Sequence, residues 1–297
     1  HMSNQLPTTI LGRFRMEERL ESSHPGELPW VSYRAHDLRN NAPVCVKLIP
    51  TELAGDSALL RRLQRETGAL QSLSHPNLAE MTGFFQSPEG AALVRRWVAG
   101  GTLADVLAAQ GEAPLPPADV LAYLNILTNV IGYTHDVGAI HANLSPSNVL
   151  VDPSGQVFLA DFNLLPAAAL PPSPFRAPEA AAGLPLRPSA DVFSLGALLY
   201  TLITGHLPPQ GRIPDPRRLN PAVSANMARL VLWACDAQPE QRPQYARAPS
   251  STPSARRLAS TRMSPPCASR SSPACRSGWS KPPGMRPCKN TNLPPAR

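Results

Sequence analysis

Ten residues, His141-Ala142-Asn143-Leu144-Ser145-Pro146-Ser147-Asn148-Val149-Leu150, constrain this chain more than any other stretch. Five of its first eight side chains are polar, and two apolar residues close it. Gln156 to Ala160 reads as a short strand, and Asp161-Phe162-Asn163 begins eleven residues after Leu150. Asn143 has nearly the shape of an aspartate but carries no charge and cannot take a proton.

The chain has 297 residues, 42% of them hydrophobic and 16% charged, enough to bury one large core or two lobes. No run of 18 uninterrupted apolar residues occurs, so no transmembrane helix is expected. The run Val192 to Thr204 is too short to span and reads as a buried helix. No signal peptide is read at the start, where Gln5 to Arg15 is polar and apolar mixed, and the expected location is the cytoplasm.

The net charge of +7 belongs to one end. Residues 248–297 hold nine Lys or Arg and no Asp or Glu, which leaves about −2 for residues 1–247. Ten prolines and no apolar periodicity make 248–297 a disordered basic tail in composition. It reads as a linker, a frame-shifted stretch, or an arm touching nucleic acid or an anionic membrane. The last is disfavoured because only Trp279 offers an aromatic ring. Cys267, Cys275 and Cys288 lie in that tail without zinc-site spacing, whereas Cys45 and Cys235 read as buried free thiols.

Before the ten-residue stretch, residues 10–50 read mainly as strands, including Val31 to Asp37 and Ala42 to Ile49. Alternation puts Lys47 on one face with Cys45. Residues 56–73 have helical spacing, with Leu59, Leu60, Leu63, Leu70 and Leu73 on one side. Ala91 to Val98 reads as a further strand, and residues 118–137 as a long amphipathic helix ending before Gly138.

These pieces, in this order, resemble a protein kinase. His141 to Leu150 is similar to the catalytic loop H-R-D-L-K-P-x-N, and Asp161-Phe162-Asn163 to D-F-G. Val44-Cys45-Val46-Lys47 resembles V-A-I-K, and Asp191-Val192-Phe193-Ser194-Leu195-Gly196 the D-x-x-S-L-G helix. Ala177-Pro178-Glu179 and the late Arg242-Pro243 also match. The strings YRAHD, HPNL and SLGALLYTLITG most resemble bacterial eukaryotic-like Ser/Thr kinases, over roughly residues 10–243.

The resemblance implies an α+β, two-lobed fold: a small antiparallel-sheet lobe and a larger, mainly helical lobe. The expected division is a tag and leader at 1–9, the small lobe at 10–98, the large lobe at 99–247, and the tail at 248–297. It also implies roles. Lys47 holds phosphates and pairs with Glu66; Asn148 and Asp161 hold Mg²⁺ if a nucleotide binds; Leu150 lines the nucleotide site. Taken alone, Glu66 reads as a solvated helix charge; the surrounding match favours the pair with Lys47. Asp191 is expected to accept backbone hydrogen bonds from the catalytic loop, Glu179 and Arg242 to form an ion pair, and His141 to be a buried structural histidine.

The departures are chemical. Ala142, Asn143 and Ser145 replace the usual Arg, Asp and Lys of the loop, and Pro172 falls where a bracing Thr is usual. Loss of such a catalytic base costs on the order of 10²–10⁴ in rate. Aligned on Tyr33, the three glycines of the phosphate-covering turn fall on Pro25, Glu27 and Trp30, which oppose phosphate by charge and bulk. Arg95 falls at the back of the adenine pocket, where a buried charge needs a partner, Glu66 or Asp161. Only Ser173 offers a hydroxyl between Asp161 and Glu179, so phosphorylation control of that segment is not expected.

The expected function is therefore a pseudokinase: a regulatory or scaffolding module recognised by a protein partner, binding ATP with Mg²⁺ weakly or not at all. The alternative is a weak or atypical ATP-dependent Ser/Thr kinase using Lys47, Glu66, Asn148 and Asp161.

Overall fold

Strands of seven residues build the first part of the chain. β1 (Phe14–Leu20), β2 (Val31–Asp37), β3 (Ala42–Leu48), β4 (Met81–Ser87) and β5 (Gly90–Arg96) form one antiparallel sheet in the order β1-β2-β3-β5-β4. The computed structural model describes residues 9–20, 31–88, 90–165, 171–244 and 246. The expectations for Pro25, Glu27 and Trp30, and for the 248–297 tail, lie outside the described residues, as does the leader 1–9 apart from its last residue.

Side chains alternate across the pleat, so register decides what each face carries. Val44 and Val46 of β3 join Ala92 and Val94 of β5, with Phe14, Met16 and Ala35, in one apolar cluster. The opposite face of the same strands carries Cys45, Lys47, Leu93 and Arg95, because Cys45 pairs with Arg95 and Lys47 with Leu93. Two cations thus stand on adjacent strands of one face. On the apolar side, Asp37 is fully buried and is held by the Arg13 guanidinium through two 2.7 Å hydrogen bonds.

After a single turn, α1 (Thr51–Ala54), comes α2 (Ser57–Leu70). Asp56 caps α2 by accepting from the Ala58 and Leu59 amides. Its buried residues are Leu59, Leu63, Thr67 and Leu70. At 3.6 residues per turn that face centres on Leu63 and Thr67 and leaves Glu66 at its rim. The helix is shorter than the 56–73 expected; Leu73 is buried in the loop beyond it. That loop is fastened to the large lobe. The Ser74 amide donates to the Tyr133 hydroxyl at 3.0 Å, and Asn77 Nδ2 to the Val157 carbonyl at 2.8 Å. The Ala79 amide donates to the Leu159 carbonyl at 2.8 Å.

The remaining elements are mainly helical. A three-stranded sheet, β6 (Gly101–Thr102), β7 (Val149–Val151) and β8 (Val157–Leu159), lies under the cleft between lobes. α3 (Leu103–Gln110) begins with a capping box between Thr102 and Asp105. Ahead of it Gly100 has φ +109°, and a Cβ there would collide with the Val151 carbonyl. α4 (Pro117–Asp136) buries Val120, Tyr123, Leu127, Val130 and Ile131. A single turn, α5 (Pro178–Ala181), precedes α6 (Pro188–Thr204), which is buried from Ser189 to Thr204.

α7 (Ala225–Ala234) packs on α6 at Gly196, where an added Cβ would come within 2.7 Å of Ala234 and of Cys235 Sγ. The apolar run at 192–204 is thus a core helix, and among the described residues no helix is long and apolar enough to cross a membrane. Glu179 and Arg242 form the expected buried pair, with two hydrogen bonds of 2.6 and 2.9 Å.

Candidate active-site cleft

The cation-bearing face of β3 and β5 roofs a cleft of about 500 Å³. Lys47, Asn148, Leu150 and Asp161, all expected at a nucleotide site, line it together with Cys45, Arg95 and Val98. Glu66 does not line it. Asp105 and Ser147 do line it and were not singled out from the sequence. The one signal for Asp105 is its position three residues after Thr102, which marks a capping box rather than a cleft.

The expected Lys47–Glu66 pair is not formed. Lys47 Nζ stands 2.7 Å from Asp161 Oδ2, and Glu66 Oε1 accepts from Arg62 Nε at 2.7 Å on its own helix. The reason is geometric. Glu66 stands at the rim of the buried face, one turn from an exposed arginine, while Asp161 lies against the Lys47 face of the sheet. Arg95 meets the second of its two expected candidates: its Nε is 3.0 Å from Asp161 Oδ1. Both Asp161 oxygens are therefore capped by cations. Burial alone works to raise the Asp161 carboxyl, but Arg95 and Lys47 outweigh it and hold it well below the usual carboxylate range. Burial likewise opposes the Arg95 charge, and Asp161 overcomes that opposition.

Below the cleft, the catalytic-type loop is held rigidly. Asp191 Oδ1 accepts from the Ala142 amide at 2.7 Å, and Oδ2 from the His141 amide at 2.9 Å. His135 Nε2 lies 2.8 Å from the same Oδ2. His141 is fully buried, and burial pushes its imidazole towards the neutral form. Its Nε2 donates to the Ala160 carbonyl at 2.9 Å, and Nδ1 accepts from the Asn143 amide at 3.3 Å. With both nitrogens engaged, His141 is structural, as expected. Ala142 at φ 56° and Asp161 at φ 66° take left-handed backbone, a conformation costing on the order of 1 kcal/mol for a residue such as alanine.

The amide at position 143 has a definite use. Asn143 Nδ2 donates to the backbone carbonyl of Asp161 at 3.0 Å, and Asn148 Nδ2 donates to the Asn143 carbonyl at 2.6 Å. A carboxylate could not make the first bond, since it only accepts. Ser145 is half-buried and brings no charge. The loop therefore presents neither a proton acceptor nor a cation from Ala142, Asn143 or Ser145 at the place where the family's chemistry occurs.

The protein kinase domain family matches residues 26–274, most of the chain. The serine/threonine-protein kinase PrkC of Bacillus subtilis is 26% identical over 237 residues, 72% of this chain and 36% of the relative. PknL of Mycobacterium tuberculosis, also a serine/threonine-protein kinase, is 34% identical over 188 residues, 59% of this chain and 46% of the relative. The chain thus spans less than half the length of either. A crystal structure of the M. tuberculosis PknI kinase domain superposes with a TM-score of 0.70, covering 82% of this chain and 96% of that one. At 23% identity this likeness is one of fold. Sheet lobe, helical lobe, cleft and motif order agree, and the chain belongs to the protein kinase domain family, among its bacterial eukaryotic-like Ser/Thr members.

Proposed function

We propose that this chain is a pseudokinase: a kinase-fold module that engages a protein partner and transfers no phosphate. The observation that carries the reading is the Asn143 side chain, bound as a donor to the Asp161 carbonyl at 3.0 Å. Transfer to a hydroxyl needs a group that accepts or orients its proton and charge that stabilises the migrating phosphoryl. Position 143 offers a donor amide, and Ser145 replaces the cation. ATP is held weakly or not at all, because Lys47 and Arg95 are both engaged by Asp161. The free buried thiols Cys45 and Cys235 are in keeping with the reducing cytoplasm.

The partner is a protein that reads the kinase-like surface around α2 and beside the segment 161–179, of which 166–170 lie outside the described residues. The Lys47–Glu66 pair does not hold that shape. Within the cleft the lobes are tied instead through Asp161, gripped from the small-lobe sheet by Lys47 and Arg95. The test is incorporation of labelled phosphate from ATP into the protein itself and into generic protein substrates. None above background is expected. Robust incorporation that disappears in Lys47→Ala would establish the alternative, a Ser/Thr kinase of the kind its relatives are named for.

A further inference from the structure

We propose that Arg95 excludes divalent metal from Asp161 by standing as a fixed cation at that carboxylate, so that any nucleotide in the cleft is held without a metal bridge. This rests on reading the cleft as the family's nucleotide site, but not on the loss of phosphotransfer. The family's cofactor is ATP with Mg²⁺, and the donor set here does not fit the metal. Mg²⁺ requires near-octahedral oxygen ligands at about 2.0–2.1 Å. Asp161 has each oxygen in contact with a different cation, at 2.7 and 3.0 Å. The second expected ligand, Asn148, donates through its Nδ2 to the Asn143 carbonyl, which leaves a metal only its neutral Oδ1 and no negative charge. Among the described residues no cluster of three His, Cys, Asp or Glu side chains is placed to hold a metal ion.

Arg95 cannot easily make way. Its side chain is 8% exposed, its Nη1 donates to the Arg96 carbonyl at 3.2 Å, and strand register fixes its backbone opposite Cys45. A guanidinium keeps its charge when buried, so deprotonation does not clear the site. Two positive charges at one carboxylate repel a third, most strongly away from bulk water. Lys47 alone, 16% exposed and on a flexible stem, could turn towards a phosphate. It is Arg95 that makes the exclusion permanent.

The test titrates the full chain with Mn²⁺, with and without ATP, and reads bound metal by electron paramagnetic resonance. Wild type should retain no Mn²⁺ in either condition. Arg95→Met removes the charge with little loss of bulk and should bind Mn²⁺ with ATP at least about tenfold more tightly than wild type. The gain should vanish in Arg95→Met/Asp161→Asn, and Arg95→Lys should behave as wild type. Stoichiometric Mn²⁺ on wild type, lost in Asp161→Asn, would overturn the proposal, and so would an Arg95→Met protein that folds yet gains no metal. Should Arg95→Met not fold, the wild-type titration and Arg95→Lys still decide. Bound metal without phosphate incorporation would sink this inference and leave the pseudokinase reading standing.

Discussion

Lys47 reaches across the cleft to Asp161 at 2.7 Å, and Glu66, the acid expected to hold it, lies 2.7 Å from Arg62 instead. Glu66 is therefore half of a partly exposed helix pair four residues apart. Such pairs contribute about 0.2–0.5 kcal/mol. Glu66→Ala should lower stability in urea by no more than about that amount. A loss above about 2 kcal/mol would show that Glu66 reaches a buried cation in solution.

Asp161 is a buried carboxylate facing two cations. Asp161→Asn leaves Arg95 buried without a counter-charge and should cost on the order of 3–5 kcal/mol in unfolding free energy. The pH dependence follows from the depressed carboxyl. A carboxylate whose folded pKa lies below its unfolded one adds stability that is fully present above the unfolded value, about 3.9, and lost as pH falls towards the folded one. Melting temperature should thus fall more steeply below about pH 4 in wild type than in Asp161→Asn. Parallel acid profiles would mean that Asp161 is not held this way.

Placing the family's aspartate at position 143 should not produce phosphotransfer. In Asn143→Asp a carboxylate oxygen would face the Asp161 carbonyl, where an N–H now donates at 3.0 Å. The variant should lose about 1–3 kcal/mol and incorporate no labelled phosphate. A variant of full stability that phosphorylates itself would show position 143 to be the sole defect.

Thr67 offers a change in the opposite direction. Its hydroxyl is buried on α2 with no hydrogen-bond partner among the described residues. Thr67→Val keeps the shape and removes that unsatisfied group. It should raise stability by about 1 kcal/mol, read as a higher urea midpoint at unchanged slope. An unchanged or lower midpoint would mean that water or a local carbonyl satisfies Thr67.

Much of this architecture was legible because it rests on periodicity. Alternation placed Cys45 and Lys47 on one face, and the apolar run at 192–204 marked a core helix. The motif resemblance supplied further contacts: Asp191 to the loop amides, Glu179 to Arg242, and Asp161 as one of two candidates for Arg95. The Lys47–Glu66 pair failed because it depends on how α2 is rolled. One residue turns a helix by about 100°, and whether Thr67 or Glu66 faces inward is set by packing around Leu63, which no local pattern encodes. The use of Asn143 as a donor was equally hidden. Its loss of charge could be read from the sequence, but its acceptor lies eighteen residues further along the chain and is brought to it only by the fold.

The fastening of the Ser74–Ala79 loop to Tyr133, Val157 and Leu159 gives α2 unequal leverage along its length. At 1.5 Å per residue, Ser57 lies about 20 Å from the fastened end and Glu66 only about 6 Å. Tilting the helix about that fastened end therefore moves Ser57 roughly three times as far as Glu66. A partner gripping the N-terminal turn would shift that turn widely yet barely bring Glu66 closer to Lys47; only a roll about the helix axis does that. Spin-label distances from α4 should accordingly spread severalfold more at Ser57 than at Leu70, and equal spreads would show that the loop does not act as a pivot.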